Sequence, residues 1–130
     1  MYNTKNFKQS EFACKCGCGF GLKDGDIDTG LIDIAQKIRD YVGVPVRVNS
    51  GCRCVSHNAR VGGVKGSWHT KGKACDLSCE KGGKALFEAV KALWQKGEIP
   101  GLRYCIYYKK GNFVHIDVGN ERRNLWEVRA

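Results

Sequence analysis

A chain of 130 residues with 42% hydrophobic content and 17 glycines has room for one compact domain with a real core, 1–130, and not for two, so a single active site is expected. The 22 basic against 13 acidic residues leave a formal charge of +9, which favours polyanionic surroundings such as nucleic acid, anionic lipid or wall polymer without choosing among them. No run approaches the ~18 continuous apolar residues of a membrane span. Met1-Tyr2-Asn3-Thr4-Lys5-Asn6 lacks the apolar stretch of a signal peptide, so a soluble chain made in the cytoplasm, without membrane insertion, is expected.

Residues 1–25 form a Cys- and Gly-rich segment expected to pack on the rest. Eight cysteines are many for such a chain. Cys14, Cys16 and Cys18, with Gly17 between, can aim thiolates inward at tight turns, and Cys54 is a candidate fourth. Their spacing is compatible with a structural Zn²⁺, with a disulfide, or with free thiols. Next, Asp28 and Thr29 can cap a helix whose Leu31, Ile34, Ala35, Ile38 and Tyr41 follow helical spacing, with Gly43 to stop it. A second helix carries Leu86, Ala89, Val90, Leu93 and Trp94 on one face and ends at Gly97. Both stripes read as core.

The remaining periodic segments alternate. Valines face one way in Val46-Arg47-Val48-Asn49, as do Cys75 and Leu77 in Ala74-Cys75-Asp76-Leu77-Ser78, and Val114, Ile116 and Val118 in the strand that begins at Phe113. Arg47, Asn49, Asp76, Ser78, His115 and Asp117 then occupy the opposite faces. Tyr104-Cys105-Ile106-Tyr107-Tyr108, a turn at Gly111-Asn112 and the His115 strand read as a hairpin. The expected fold is α+β: a small antiparallel sheet with helices on its apolar face and an open polar cleft on the other.

In Ser67-Trp68-His69-Thr70-Lys71-Gly72-Lys73-Ala74-Cys75-Asp76 an imidazole leaves a loop, and a carboxylate follows as the chain becomes a strand. Gly72 permits a tight turn and Ala74 leaves room beside Asp76, so both side chains can reach one ion, with His115 as a third ligand. Two imidazoles and one carboxylate suit Zn²⁺ with a fourth position left for water, and peptide hydrolysis is the natural use.

Ser67, His69, Gly72, Ala74 and Asp76 match the Ser-x-His-x-x-Gly-x-Ala-x-Asp signature of the zinc D-Ala-D-Ala peptidases, the M15 group, whose relatives include hedgehog signalling domains. Such a match should arise by chance on the order of once in ten thousand chains of this size. Ser50-Gly51-Cys52-Arg53-Cys54 resembles the family's Ser-Gly-Tyr-Arg segment with Cys52 replacing tyrosine, followed by Asn58 and the Gly62-Gly63 pair. The strand from Phe113 to Val118 is similar to the closing strand of the short subgroup found in phages and bacteria, so the resemblance covers residues 7–118.

The resemblance implies one catalytic Zn²⁺ held by His69, Asp76 and His115. It implies that Arg53 binds a substrate carboxylate or steadies the tetrahedral oxyanion; Ser67 and, as an aromatic able to line the cleft, Tyr107 are further substrate-side candidates. Trp68 is a further cleft candidate, and His57 reads as a structural hydrogen-bonding residue. The chain departs from family members that place a Glu three residues before the last ligand, where Asn112 stands, and from those with His two residues before, where Phe113 stands. Asp117 is the remaining acid on that face, either as general base or as the carboxylate that orients His115.

The function so implied is a zinc metallopeptidase, a hydrolase of peptidoglycan stem peptides in cell-wall degradation. It would work as a D-Ala-D-Ala carboxypeptidase or endopeptidase, as a monomer, and a phage endolysin released to the wall is a natural setting. A non-catalytic wall-binding or virion structural domain is the alternative. A basic zinc module binding nucleic acid is disfavoured, because such modules close their zinc with four ligands.

Overall fold

The computed structural model describes residues 1–120 and 124–130. Helix α1 (Thr29–Val42) begins where the Asp28 carboxylate accepts the Gly30 N–H at 2.9 Å, and stops at Gly43, whose φ of 72° is left-handed. Its buried stripe is Leu31, Ile32, Ile34, Ala35, Ile38 and Val42. Tyr41, expected in that stripe, is 48% exposed instead, because Val42 continues the i+4 row from Ile38 and Tyr41 falls beside it, under the Lys96 ammonium. Helix α3 (Gly83–Gln95) buries Leu86, Phe87, Ala89, Val90 and Leu93. Between them a short helix, α2 (Val55–Arg60), buries only Asn58.

Strands β1 (Val46–Ser50), β2 (Ala74–Cys79), β3 (Tyr104–Tyr108), β4 (Phe113–Asp117) and β5 (Trp126–Arg129) form one sheet in the order β1-β2-β4-β3-β5. The first three pairings across it are antiparallel, whereas β5 runs parallel to β3. The sheet is therefore mixed, not purely antiparallel as the sequence led us to expect. The added strand is anchored by Trp126, whose ring meets Phe87 of α3 edge-on.

Cys75, Leu77, Val114, Ile116 and Cys105 are buried on one side of the sheet, against α3, which in turn packs on α1. The register sets Asp76 opposite His115 and Ala74 opposite Asp117, which places the polar groups together on the other side. At the β3–β4 turn Asn112, not Gly111, takes the left-handed conformation, at φ 58°. The Asn112 side-chain oxygen also accepts the Gly83 N–H at 2.8 Å, tying the turn to the start of α3.

The N-terminal segment packs into the same core through Phe7, Phe12 and Cys14. The buried Gln9 amide donates to the Gly21 and Lys23 carbonyls, and Cys52 N–H donates to the Phe12 carbonyl at 2.7 Å. Gly51 lies so close that a Cβ there would sit 2.6 Å from the Phe12 Cα.

Candidate metal centre and cleft

His69 sits in a single 3-10 turn, Trp68–Lys71. The Ser67 hydroxyl accepts the His69 N–H at 3.2 Å, and Gly72, at φ 69°, ends the turn where a methyl group would overlap the Asp26 carbonyl. The imidazole Nδ1 lies 2.7 Å from the Gly51 carbonyl oxygen. A carbonyl only accepts, so Nδ1 carries the proton and Nε2 is the free nitrogen. Nε2 lies 3.4 Å from Oδ1 of Asp76.

The same Asp76 oxygen lies 3.1 Å from Nδ1 of His115, and the two imidazole rings meet edge-on with centroids 5.2 Å apart. The other ring nitrogen, Nε2 of His115, is 2.8 Å from Oδ2 of Asp117. One donor atom each from His69, Asp76 and His115 thus falls within 4.8 Å of the others. Around a tetrahedral zinc with bonds of about 2.0–2.1 Å, ligand-to-ligand edges are about 3.3–3.4 Å, close to the nitrogen–oxygen separations here. Each histidine is held from behind by an acceptor, Gly51 O or Asp117, as metal-ligating histidines are. The donor set fits a three-ligand zinc site open on the cleft side.

Burial would raise the Asp76 carboxyl, but the bonds from His115 and His69 outweigh it and hold this group well below the usual carboxylate range. His115 shows the complement. Burial would lower its imidazolium, yet Asp117 and Asp76 together push it up to about 9 in the metal-free protein.

Arg53 closes one side. Its Nε donates to the Ser50 hydroxyl at 3.0 Å, Nη1 to the Asn58 side-chain oxygen at 3.2 Å, and Nη2 meets Asp76 Oδ2 at 3.4 Å. Asn58 is itself fixed by donating to the Val64 carbonyl at 3.0 Å. Above these groups opens a cavity of about 620 Å³, bordered by Ser67 and Trp68, by Gly62-Gly63-Val64, and by Tyr104 and Tyr108.

Tyr107 does not reach it, which corrects the sequence expectation: its ring packs on Phe87 of α3, centroids 5.7 Å apart, on the opposite side of the sheet. Tyr104 and Tyr108 take that place, and the Tyr104 hydroxyl donates to Glu127 of β5. The alternation of β3 against His115 carried that signal, since Ile106 pairs with His115 and shares its face with Tyr104 and Tyr108. His57 contributes through its backbone N–H, which donates to the Cys54 sulfur at 3.4 Å.

The peptidase M15 family model matches residues 5–117, a span that includes His69, Asp76 and His115. The chain belongs to that family. Among its curated relatives, the peptidoglycan L,D-endopeptidase MepK of Escherichia coli (strain K12) and that of Shigella flexneri are each 40% identical to it over 104 residues, covering 74% of this chain and 53% of theirs. The chain spans about half the length of the curated relatives it matches.

Proposed function

We propose that this chain is a zinc-dependent peptidase that hydrolyses peptide bonds within the stem peptides of peptidoglycan. The observation that carries the reading is the meeting of His69, Asp76 and His115 donor atoms within 4.8 Å on the floor of an open cleft, with the Arg53 guanidinium against Asp76. Zinc bound there would supply Lewis-acid activation of water and of the scissile carbonyl. The work of the chain's own residues follows from their bonds. Arg53, fixed by Ser50 and Asn58, presents its fork to a substrate carboxylate or to the developing oxyanion. Asp117 is 1% exposed, with one oxygen on His115 and the other accepting the Gly119 N–H at 3.3 Å, so it acts by fixing the His115 ring. The name of the MepK relatives favours internal cleavage over removal of a terminal D-Ala.

A second reading, a wall-binding domain without turnover, draws on Asn112, which stands where family members with a Glu-x-x-His motif carry their proton acceptor and is engaged with Gly83. One experiment separates the two: digestion of purified peptidoglycan from several wall types, with products identified by mass spectrometry. The peptidase reading expects new amine termini that disappear with a chelator and return with added zinc. No chelator-sensitive release from any wall type would overturn it.

A further inference from the structure

Cys14, Cys16 and Cys18, on the N-terminal segment, meet Cys54 at the start of α2, and one sulfur from each lies within 4.8 Å of the others. Cys14 Sγ is 3.4 Å from Cys16 Sγ, which is 3.6 Å from Cys54 Sγ. A tetrahedral zinc with Zn–S bonds of about 2.3 Å sets sulfur–sulfur edges of about 3.8 Å, so the group is already near the size of such a site. A disulfide needs about 2.05 Å, and closing one would draw two sulfurs out of a four-cornered arrangement.

The backbone around the sulfurs is arranged for thiolates. Cys54 N–H points at Cys14 Sγ at 3.4 Å, and His57 N–H at Cys54 Sγ at 3.4 Å. Gly17 and Gly19 bend the chain between and after the cysteines at φ 81° and 93°. By contrast Cys75 and Cys105 lie wholly within the apolar core, where burial pushes their thiols up, as for cysteines that only pack.

We propose that Cys14, Cys16, Cys18 and Cys54 bind a structural Zn²⁺ as a closed tetrathiolate, a metal site separate from the His69, Asp76 and His115 centre. Zinc replaces the thiol protons, which leave to solvent, and no oxidant or reductant is involved. The ion ties the N-terminal segment to the residue that follows Arg53. Because Cys54 also begins the helix bearing Asn58, which grips the Arg53 guanidinium, the site braces one wall of the cleft without touching it.

The test counts metal and needs no activity. Wild-type protein should hold about two zinc ions per chain, Cys16→Ser/Cys18→Ser about one, and His69→Ala about one, with the combined variant near none. In the intact wild type, a mercurial thiol reagent should release one zinc to a chromogenic chelator. Protein reconstituted with Co²⁺ should show near-ultraviolet thiolate-to-cobalt absorption that His69→Ala keeps and Cys16→Ser/Cys18→Ser lacks. Three results would overturn the site: an unchanged zinc count in the cysteine variant, ready alkylation of all four thiols in the folded protein, or a native mass lowered by the hydrogens of a disulfide. If the His69 centre held no zinc, wild type would hold about one ion and Cys16→Ser/Cys18→Ser near none, so the loss of one ion with the cysteines reports the thiolate site either way.

Discussion

His115 is gripped by Asp117: its Nε2 lies 2.8 Å from the Asp117 Oδ2, so the ring turns its other nitrogen toward Asp76 and cannot rotate without breaking that bond. The buried carboxylate is spent on this bond and on the Gly119 N–H. Asp117→Asn should therefore weaken zinc affinity by about tenfold or more, with part of the activity returning in excess zinc. A fall in turnover at unchanged zinc affinity would instead mark Asp117 as a proton acceptor. A competition titration against a chelating dye, run beside activity at several zinc concentrations, reads both.

Arg53 spreads its nitrogens over Ser50, Asn58 and Asp76, a fork that lysine cannot reproduce. Arg53→Lys should lower kcat/KM on a peptidoglycan fragment by roughly a hundredfold while the zinc content stays unchanged. Wild-type kinetics in this variant would place the guanidinium outside the reaction.

In metal-free protein His115 stays protonated up to about 9, against about 6.5 in an unfolded chain. A raised folded-state value means that this stabilisation is complete below about pH 6.5 and is lost as pH rises through 9. The depressed Asp76 contributes in the opposite sense: its share is present above its ordinary value and fades in acid. Metal must displace the His115 proton, so zinc binds more tightly as pH rises over the same window. The Tm difference between zinc-loaded and chelator-treated protein should accordingly widen from pH 6.5 to 9. A gap that is constant or narrows across that range would contradict the assignment of His115 as a ligand.

A methyl group on Gly63 would overlap the Asn58 side-chain oxygen and come within 3.0 Å of Arg53 Nη1. Gly63→Ala should cost about 1–3 kcal/mol of stability and also reduce activity, because Asn58 cannot yield without releasing Arg53. Gly101→Ala is the control: among the described residues no heavy atom beyond its chain neighbours lies within 4 Å of the added carbon, so stability should change by no more than about 0.5 kcal/mol. Denaturant unfolding of both variants beside wild type checks the difference.

The helices α1 and α3 and the strands β1 to β4 were readable because each buries a face at its own period, 3.6 or 2 residues. The grouping of Asp76, His115 and Asp117 on one side followed from parity alone. Two elements escaped for the opposite reason. Helix α2 exposes Val55 and buries little besides a polar Asn58, and β5 leaves Val128 half in solvent, so neither shows a clean apolar pattern. Strand parity sends Tyr104 and Tyr108 to the cleft and Tyr107 to the α3 side, a distinction that aromatic residue type does not carry. Cys54 is a candidate fourth member of the cysteine group from the sequence, and the structure brings it beside the N-terminal three; their closeness is a tertiary fact that spacing alone does not supply.

Strand order has a consequence for how the molecule assembles. The hairpin of β3 and β4 can close locally, but β4 must then dock against β2 before His115 meets Asp76, a contact 39 residues apart in the chain. Cys16 and Cys54 close a span of 38 residues at the other side of β1. During refolding, then, zinc uptake by the histidines would time the docking of the hairpin, while uptake by the thiolates would time the arrival of the N-terminal segment. Two spectroscopically distinct cobalt signals rising at different rates would resolve the order in which this small sheet is completed.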